Sequence, residues 1–320
     1  MKRALTAIIA LFFAFAAMAG ASPQGRTAVA ILKGPSGISG AWMMDGLSRT
    51  SPDDFSFQTV ASADMVVAKL LSGEIDAGVL PVNIAAKLYN AGAPLRVLAV
   101  VGNGMVKFLT NNDTIRSIAD LRGATVYIAG QKATPDYVFQ YLCAQNGLVA
   151  NRDYTPVYSL SYPEIAAALA AGRIANAVLP EPFASQAILK NPSLRAPFDI
   201  SAAWSRATGL ENYPMSLFVA RSDLILSSPW KVSILLDSYR ASIQKTVADP
   251  ESSGNLAEKL GLGVSAQAAA AAIPVSNFVF IDAQHAIPGI EALLGVFLRF
   301  DPASIGGELP DRALYAQRNP

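Results

Sequence analysis

The sequence predicts an α/β protein of two lobes, each a mainly parallel sheet flanked by helices, with a ligand cleft between them. Three observations carry this reading. Short apolar runs alternate along the chain with segments of helical period, the pattern of strands joined by crossover helices. The chain also contains a faint copy of itself: Gly73-Glu74-Ile75-Asp76-Ala77-Gly78-Val79-Leu80-Pro81 returns 99 positions later as Gly172-Arg173-Ile174-Ala175-Asn176-Ala177-Val178-Leu179-Pro180. About 50 residues upstream of each copy lies a related strand and turn, 28–32 running into Lys33-Gly34-Pro35-Ser36 and 125–129 running into Lys132-Ala133-Thr134-Pro135. A period this long exceeds the roughly 20–50 residues of a solenoid unit. It implies two similar α/β units, hence two lobes and a cleft.

Each element follows in order. Thr27–Leu32 reads as the first strand, 34–40 as a Gly/Ser turn, and 41–47 as the start of a helix. Phe55–Val60 is a strand, and Ala63–Ser72 a helix closed by Gly73, a residue suited to the left-handed position after a helix. Segments 77–80, 82–91 and 95–101 give strand, helix and strand. Gly102-Asn103-Gly104 then breaks the pattern before Val106–Thr110 continues extended, so the first crossing between lobes is expected near 102–107. A short helix and turn at 117–123 precede strand 125–129. Helix 135–146 begins with a proline and ends before Gly147. Strand 155–159, helix 163–171, strand 177–179 and helix Phe183–Lys190 continue the alternation. Segment 213–220 reads as the strand returning to the first lobe, with the second crossing at 211–216. Helices at 229–249, 253–260, 265–273 and 289–300 complete the chain. Lobe one is thus expected over 27–105 plus 213–320, and lobe two over 106–212.

Residues 1–21 read as a secretory signal peptide. Lys2 and Arg3 are followed by an apolar stretch at 4–17 and by small residues at Ala17, Ala19 and Ala21. No cysteine follows that stretch, so a lipid anchor is not expected, and the exported chain is assigned to a periplasm. Without Lys2 and Arg3 the charged residues are 23 basic and 24 acidic. This balance offers no footprint for nucleic acid. Cys143 is the only cysteine and His285 the only histidine. No disulfide can form within the chain, and no metal, cofactor or catalytic residue is expected.

Several motifs carry a resemblance to a known family. They are Leu71-Ser72-Gly73-Glu74-Ile75-Asp76-Ala77-Gly78-Val79, Ser117-Ile118-Ala119-Asp120-Leu121-Arg122-Gly123, Ala133-Thr134-Pro135-Asp136-Tyr137, the run from Tyr162-Pro163-Glu164-Ile165 to Gly172, and Pro180-Glu181-Pro182. Over roughly residues 27–260 the chain resembles periplasmic ABC-transporter substrate-binding proteins of the sulfonate/nitrate/taurine family, related to thiamine-precursor binding proteins. The resemblance implies the type II periplasmic-binding-protein-like fold. It also implies a monomer that captures a small organic solute by hinge closure, with a permease and its ATPase as partners. Other classes on this scaffold are a pyrimidine synthase, a chorismate-processing enzyme and a ligand-presenting sensor. The synthase depends on a cysteine-rich motif and histidine chemistry that one cysteine and one histidine cannot supply.

In open α/β sheets a ligand binds beyond the carboxyl ends of the strands. That rule brings together the turns at 34–39, 81–83, 130–135 and 180–183. In the first, Gly37 would let backbone approach a ligand while Ser36 and Ser39 donate hydroxyl hydrogen bonds; a strand-to-helix turn with a Ser cap explains the same residues. On this reading, Gly37→Val abolishes binding and leaves the fold largely intact. In lobe two, Gln131 and Thr134 form the counterpart, Thr134 serving equally well as a helix cap before Pro135. Asn83 and Glu181 follow the two Leu-Pro turns at equivalent positions and offer directional hydrogen bonds, Glu181 to a cationic or N–H-bearing group. Trp42 and Tyr158, with Tyr127 and Tyr162 nearby, could enclose a planar ligand. Gly104, at the expected crossing, completes the ligand-binding set. Lys33 and Lys132 occupy equivalent loops and could flank an acidic ligand or simply face solvent.

Overall fold

The computed structural model describes residues 25–317. The expected signal peptide lies outside them. Among the described residues, ten strands form two sheets. The larger has the order β2 (Phe55–Val60), β1 (Thr27–Leu32), β3 (Ala77–Pro81), β9 (Pro214–Arg221), β4 (Leu95–Asn103), β10 (Ile281–Asp282). The smaller has the order β7 (Thr155–Val157), β6 (Thr125–Ile128), β8 (Asn176–Pro180), β5 (Val106–Thr110).

The internal repeat has a topological meaning. β1 pairs in parallel with β2 and β3, as β6 does with β7 and β8. An antiparallel strand follows in each sheet, β9 beside β3 and β5 beside β8. The repeated Val-Leu-Pro segments therefore occupy the same position in the two sheets. Apart from half-buried Pro81, both are buried along their length. Helices cover both faces of such strands, which explains their continuous rather than alternating apolar sequence.

Among the described residues, twelve α-helices surround the sheets: α1 (Pro35–Thr50), α2 (Ala63–Ser72), α3 (Val82–Asn90), α4 (Thr134–Gln145), α5 (Tyr162–Ala170), α6 (Phe183–Lys190), α7 (Ile200–Thr208), α8 (Ser222–Ser227), α9 (Pro229–Ala248), α10 (Pro250–Lys259), α11 (Ala266–Ala272) and α12 (Ala283–Phe300). Gly73 closes α2 with φ 76°, the left-handed conformation its position demands.

Two helix starts differ from the sequence reading. The segment 34–40 is not a turn. The turn is confined to Lys33 and Gly34, the latter with φ 98°, and Pro35 begins α1. Proline's fixed φ suits a helix's first position, and that outweighs the low helix propensity of the glycines that follow. At the other end, α12 begins at Ala283, well before Pro288. Asp282 accepts the His285 N–H at 3.2 Å, and Ala283, Ala286, Ile287 and Ile290 are buried. Capping and burial carry the helix through Pro288, which removes one backbone donor. Helices α7 and α8 and strand β10 had no distinct sequence signal.

The connections between the sheets run side by side. β4 ends at Asn103, opposite Pro214 at the start of β9, and β5 begins at Val106. The Gly104 N–H donates to the Tyr213 carbonyl at 2.8 Å and lies 3.3 Å from Asn212 Oδ1. A β-carbon at Gly104 would stand 2.4 Å from the Tyr213 ring. Glycine is required here because two chains and an aromatic ring share one narrow space.

Candidate binding cleft

The carboxyl ends of β1, β3, β6 and β8 carry the residues through which the lobes meet. Asn83, in the first turn of α3, is their most direct bridge. Its Nδ2 donates to the Lys132 carbonyl at 2.7 Å, and its Oδ1 accepts the Thr134 hydroxyl at 3.0 Å. Asn83 is 2% exposed and Thr134 0%. Thr134 is the first residue of α4, and Ala133 holds the cap position. Its hydroxyl is not the helix cap that the sequence suggested; it is directed across to the other lobe. Nearby, the Tyr137 hydroxyl donates to Asp301 at 2.8 Å, joining α4 to the end of α12.

A second meeting point lies at the end of β1. A β-carbon on Gly34 would stand 2.9 Å from the Phe183 ring at the start of α6. Phe183 stacks on Tyr162, with ring centroids 5.7 Å apart and planes 16° apart. The close backbone approach expected at Gly37 is thus made by Gly34, against a side chain of the opposite lobe.

The α1 residues point elsewhere. Ser36, Ser39 and Trp42 follow one another at helical spacing and share a stripe. Ser39 Oγ donates to the Ser36 carbonyl at 3.2 Å, and Ser242 of α9 donates to the Ser39 carbonyl at 2.6 Å. The Tyr239 hydroxyl donates to the Ser36 carbonyl at 3.2 Å. Trp42 Nε1 donates to Ser253 of α10 at 2.8 Å, with Lys245 over its ring. These groups are occupied in packing α1 against α9 and α10. Gly37 faces inward too: its β-carbon would stand 2.8 Å from the Leu32 carbonyl oxygen and 3.2 Å from Leu262. Gly37→Val is therefore expected to destabilise the fold by about 1–3 kcal/mol through overpacking, with binding lost only in step with folding. Denaturant unfolding beside calorimetry checks this. A variant as stable as wild type that fails to bind would restore the cradle reading.

In lobe two, Gln131 is exposed on the turn before α4, and Lys132 is exposed with φ 64°. The Lys132 N–H donates to Asp136 at 2.7 Å. Asp136 is fully buried and also accepts from Gln140 at 2.8 Å and from Tyr158 at 3.0 Å. Tyr158 is thereby committed to the carboxylate. Burial holds the Asp136 carboxyl above the usual range, against the lowering effect of these hydrogen bonds. In the sequence Asp136 stands only as a member of the Ala133–Tyr137 motif. Its signal was an acid in the first turn after Thr-Pro.

The sign of its contribution to stability follows. A raised carboxyl pKa means that the folded state binds the proton more tightly than the unfolded chain. The stabilisation is present below the ordinary carboxylate range and is lost as pH rises through the raised value. Unfolding free energy of the wild type should therefore fall relative to Asp136→Asn as pH rises from acid toward neutral. Parallel profiles in urea titrations would contradict this.

Glu181, also fully buried, follows β8. One carboxylate oxygen accepts the Ser185 N–H at 2.9 Å; the other lies 3.1 Å from Lys107 Nζ without hydrogen-bond alignment. Glu181 thus supports the start of α6 and forms an ion pair with β5. Lys107 had no signal in the sequence, because only strand pairing brings it beside residue 181.

The NMT1-like family model matches residues 53–260, more than half of the chain. The chain belongs to the NMT1-like family. Among solved structures, this NMT1-like protein is similar to an ABC transporter from Parabacteroides distasonis, at 24% identity and TM-score 0.73, covering 92% of this chain and 100% of that one. It is similar to the periplasmic aliphatic sulphonate binding protein SsuA from Escherichia coli, at 20% identity and TM-score 0.68, covering 89% and 91%. The desulfurization enzyme DSZB is a more distant likeness, at 14% identity and TM-score 0.59, covering 86% and 92%. At these identities the likeness establishes the two-lobe, type II binding-protein fold. No curated protein sequence matches the chain.

Among the described residues, no group of His, Cys, Asp and Glu is arranged to hold a metal ion, and no helix is long and apolar enough to cross a membrane.

Proposed function

We propose that this NMT1-like protein is an extracytoplasmic solute-binding protein that captures a small organic solute by hinge closure and delivers it to an ABC permease and its ATPase. The bodies that move are 27–105 with 213–320, and 106–212, turning about the paired crossings at Gly104 and Tyr213. The observation that carries the reading is the bridge from Asn83 to Thr134 and Lys132. It joins the strand ends of the two lobes where a bound solute would lie. A solute touching both lobes favours the closed form by its differential affinity. Residues 1–21 act as the export signal, and the exported chain works as a periplasmic monomer.

The available side chains favour capture over turnover. Burial pushes the Cys143 thiol up to about 12, so it is not a ready nucleophile. His285 stands 82% exposed on α12, in the opposite lobe, beside Asp282.

The test is native purification of the exported chain, mass spectrometry of the solute it retains, and small-angle scattering with and without that solute. A retained small molecule that reduces the radius of gyration is expected. Conversion of that solute into a product would overturn the reading, as would an N-terminus intact from Met1 in the exported fraction.

A further inference from the structure

A cavity lies at the outer edge of lobe one, away from the cleft. β10 pairs with β4 only at Ala99 and Val100. At Val97 the segment 312–316 takes over the sheet edge, its Ala316 N–H donating to the Val97 carbonyl at 2.9 Å. This segment, the start of β4, α8 and α9 bound a cavity of about 580 Å³. That volume falls within the roughly 300–1,000 Å³ of small-molecule sites. None of the turns where the lobes meet lines it. Arg96, on its wall, stands at the opposite end of β4 from Asn103 at the crossing, roughly 20 Å away along a strand of this length.

The walls divide by chemistry. Leu98, Val232, Leu236 and Phe280 supply an apolar side, and Leu226, 83% exposed, stands at the rim. Of the charged side chains on the walls, all but one are paired. Arg240 reaches Asp237 at 3.0 Å and lies over the Phe280 ring, 4.6 Å from its centroid. Asp282 holds His285 at 2.8 Å, and Arg312 reaches Glu291 at 3.4 Å. Arg96 is the exception. Its guanidinium donates to the Leu95 carbonyl at 2.8 Å and lies over the Tyr89 ring, 5.6 Å from the centroid. Among the described residues no carboxylate forms an ion pair with it. The nearby Asp311 accepts the Tyr89 hydroxyl at 2.6 Å and does not line this cavity. Arg96 is half-buried, so its charge is neither neutralised within the chain nor fully hydrated.

We propose that this cavity is a ligand site separate from the cleft, which takes a small amphipathic carboxylate: an apolar body against Leu98, Val232, Leu236 and Phe280, and one carboxylate on Arg96. The guanidinium fork has N–H donors left for a carboxylate, and such charge-assisted bonds are stronger than neutral ones. The body gains from leaving water in proportion to the apolar area it covers. A cationic ligand would meet the unpaired charge of Arg96, and an uncharged one would leave it unpaired. The site is independent of solute capture between the lobes.

The test uses the full exported chain and two probes, 4-benzoylbenzoate and its uncharged counterpart 4-benzoylbenzamide. Calorimetry should show the acid binding about tenfold or more tightly than the amide, the scale of one charge-assisted hydrogen bond. Arg96→Gln should remove that preference by weakening the acid alone. Leu226→Ser, at a position too exposed to threaten the fold, should weaken both probes by about threefold through lost apolar contact. Urea unfolding of each variant separates lost affinity from lost fold. Irradiation of the bound benzophenone followed by peptide mapping should place the label on β4, on segment 225–240 or on segment 280–284. Failure of the acid to bind, equal affinity for acid and amide, unchanged acid affinity in folded Arg96→Gln, or a label on the cleft turns at 130–135 and 180–183 overturns the inference.

Discussion

Gly104→Val is expected to cost about 3 kcal/mol of stability, the upper part of the usual range for forced overpacking. In a chain of this size that lowers the melting temperature by roughly 5 °C. The β-carbon would stand 2.4 Å from two atoms of the Tyr213 ring. That ring cannot step aside, because Tyr213 and the Trp204 ring beside it, 5.2 Å between centroids, are both 0% exposed. The backbone cannot yield either without breaking the 2.8 Å hydrogen bond from the Gly104 N–H to the Tyr213 carbonyl. Since this is where the chain passes between the sheets, the displacement also alters how the lobes face each other. Differential scanning calorimetry with small-angle scattering measures both effects. Gly46→Ala on α1 is the control: nothing lies within 4 Å of its β-carbon, and it should be neutral or stabilising. A Gly104→Val protein that melts with the wild type would show that the crossing is looser than this geometry requires.

Asn83→Ala should weaken solute binding by fivefold to about 150-fold, corresponding to roughly 1–3 kcal/mol. The substitution removes the acceptor of the Thr134 hydroxyl and the donor to the Lys132 carbonyl. In an open form, water satisfies those groups. In the closed form they are buried and unpaired, so the cost falls on closure and appears as lost affinity. Thr134→Val, which spares the bond to Lys132, should have a smaller effect in the same direction. Calorimetry with the retained solute measures the affinity, and scattering should show a larger radius of gyration for the solute-bound variant. Equal affinity in Asn83→Ala and wild type would mean that this bridge does not contribute to closure.

The strands and most helices were legible in the sequence because their signals are local. Val-Ile-Leu runs ending in Gly or Pro marked Thr27–Leu32 and both Val-Leu-Pro strands, aromatic and β-branched residues marked Phe55–Val60, and Gly73 marked the end of α2. The Pro35 helix start was misread because glycines and serines that signal a turn follow it. The Pro288 position was misread because a cap six residues upstream outweighs an interior proline. At the site, Asn83 was legible as the equivalent of Glu181 and Thr134 as the counterpart of the 34–39 turn, but neither as the partner of the other.

Order, type and duplication of the α/β units follow from sequence alone, because strand and helix periods and Gly/Pro punctuation act over a few residues. The tertiary structure decided which atoms face the cleft. Trp42 meets Ser253 across 211 positions, Asn83 meets Lys132 across 49, and Gly34 meets Phe183 from the opposite lobe. Such pairings depend on which face a helix turns to its sheet and on how two sheets are set against each other. Long-range burial and hydrogen bonding fix these relations, and no local spacing encodes them.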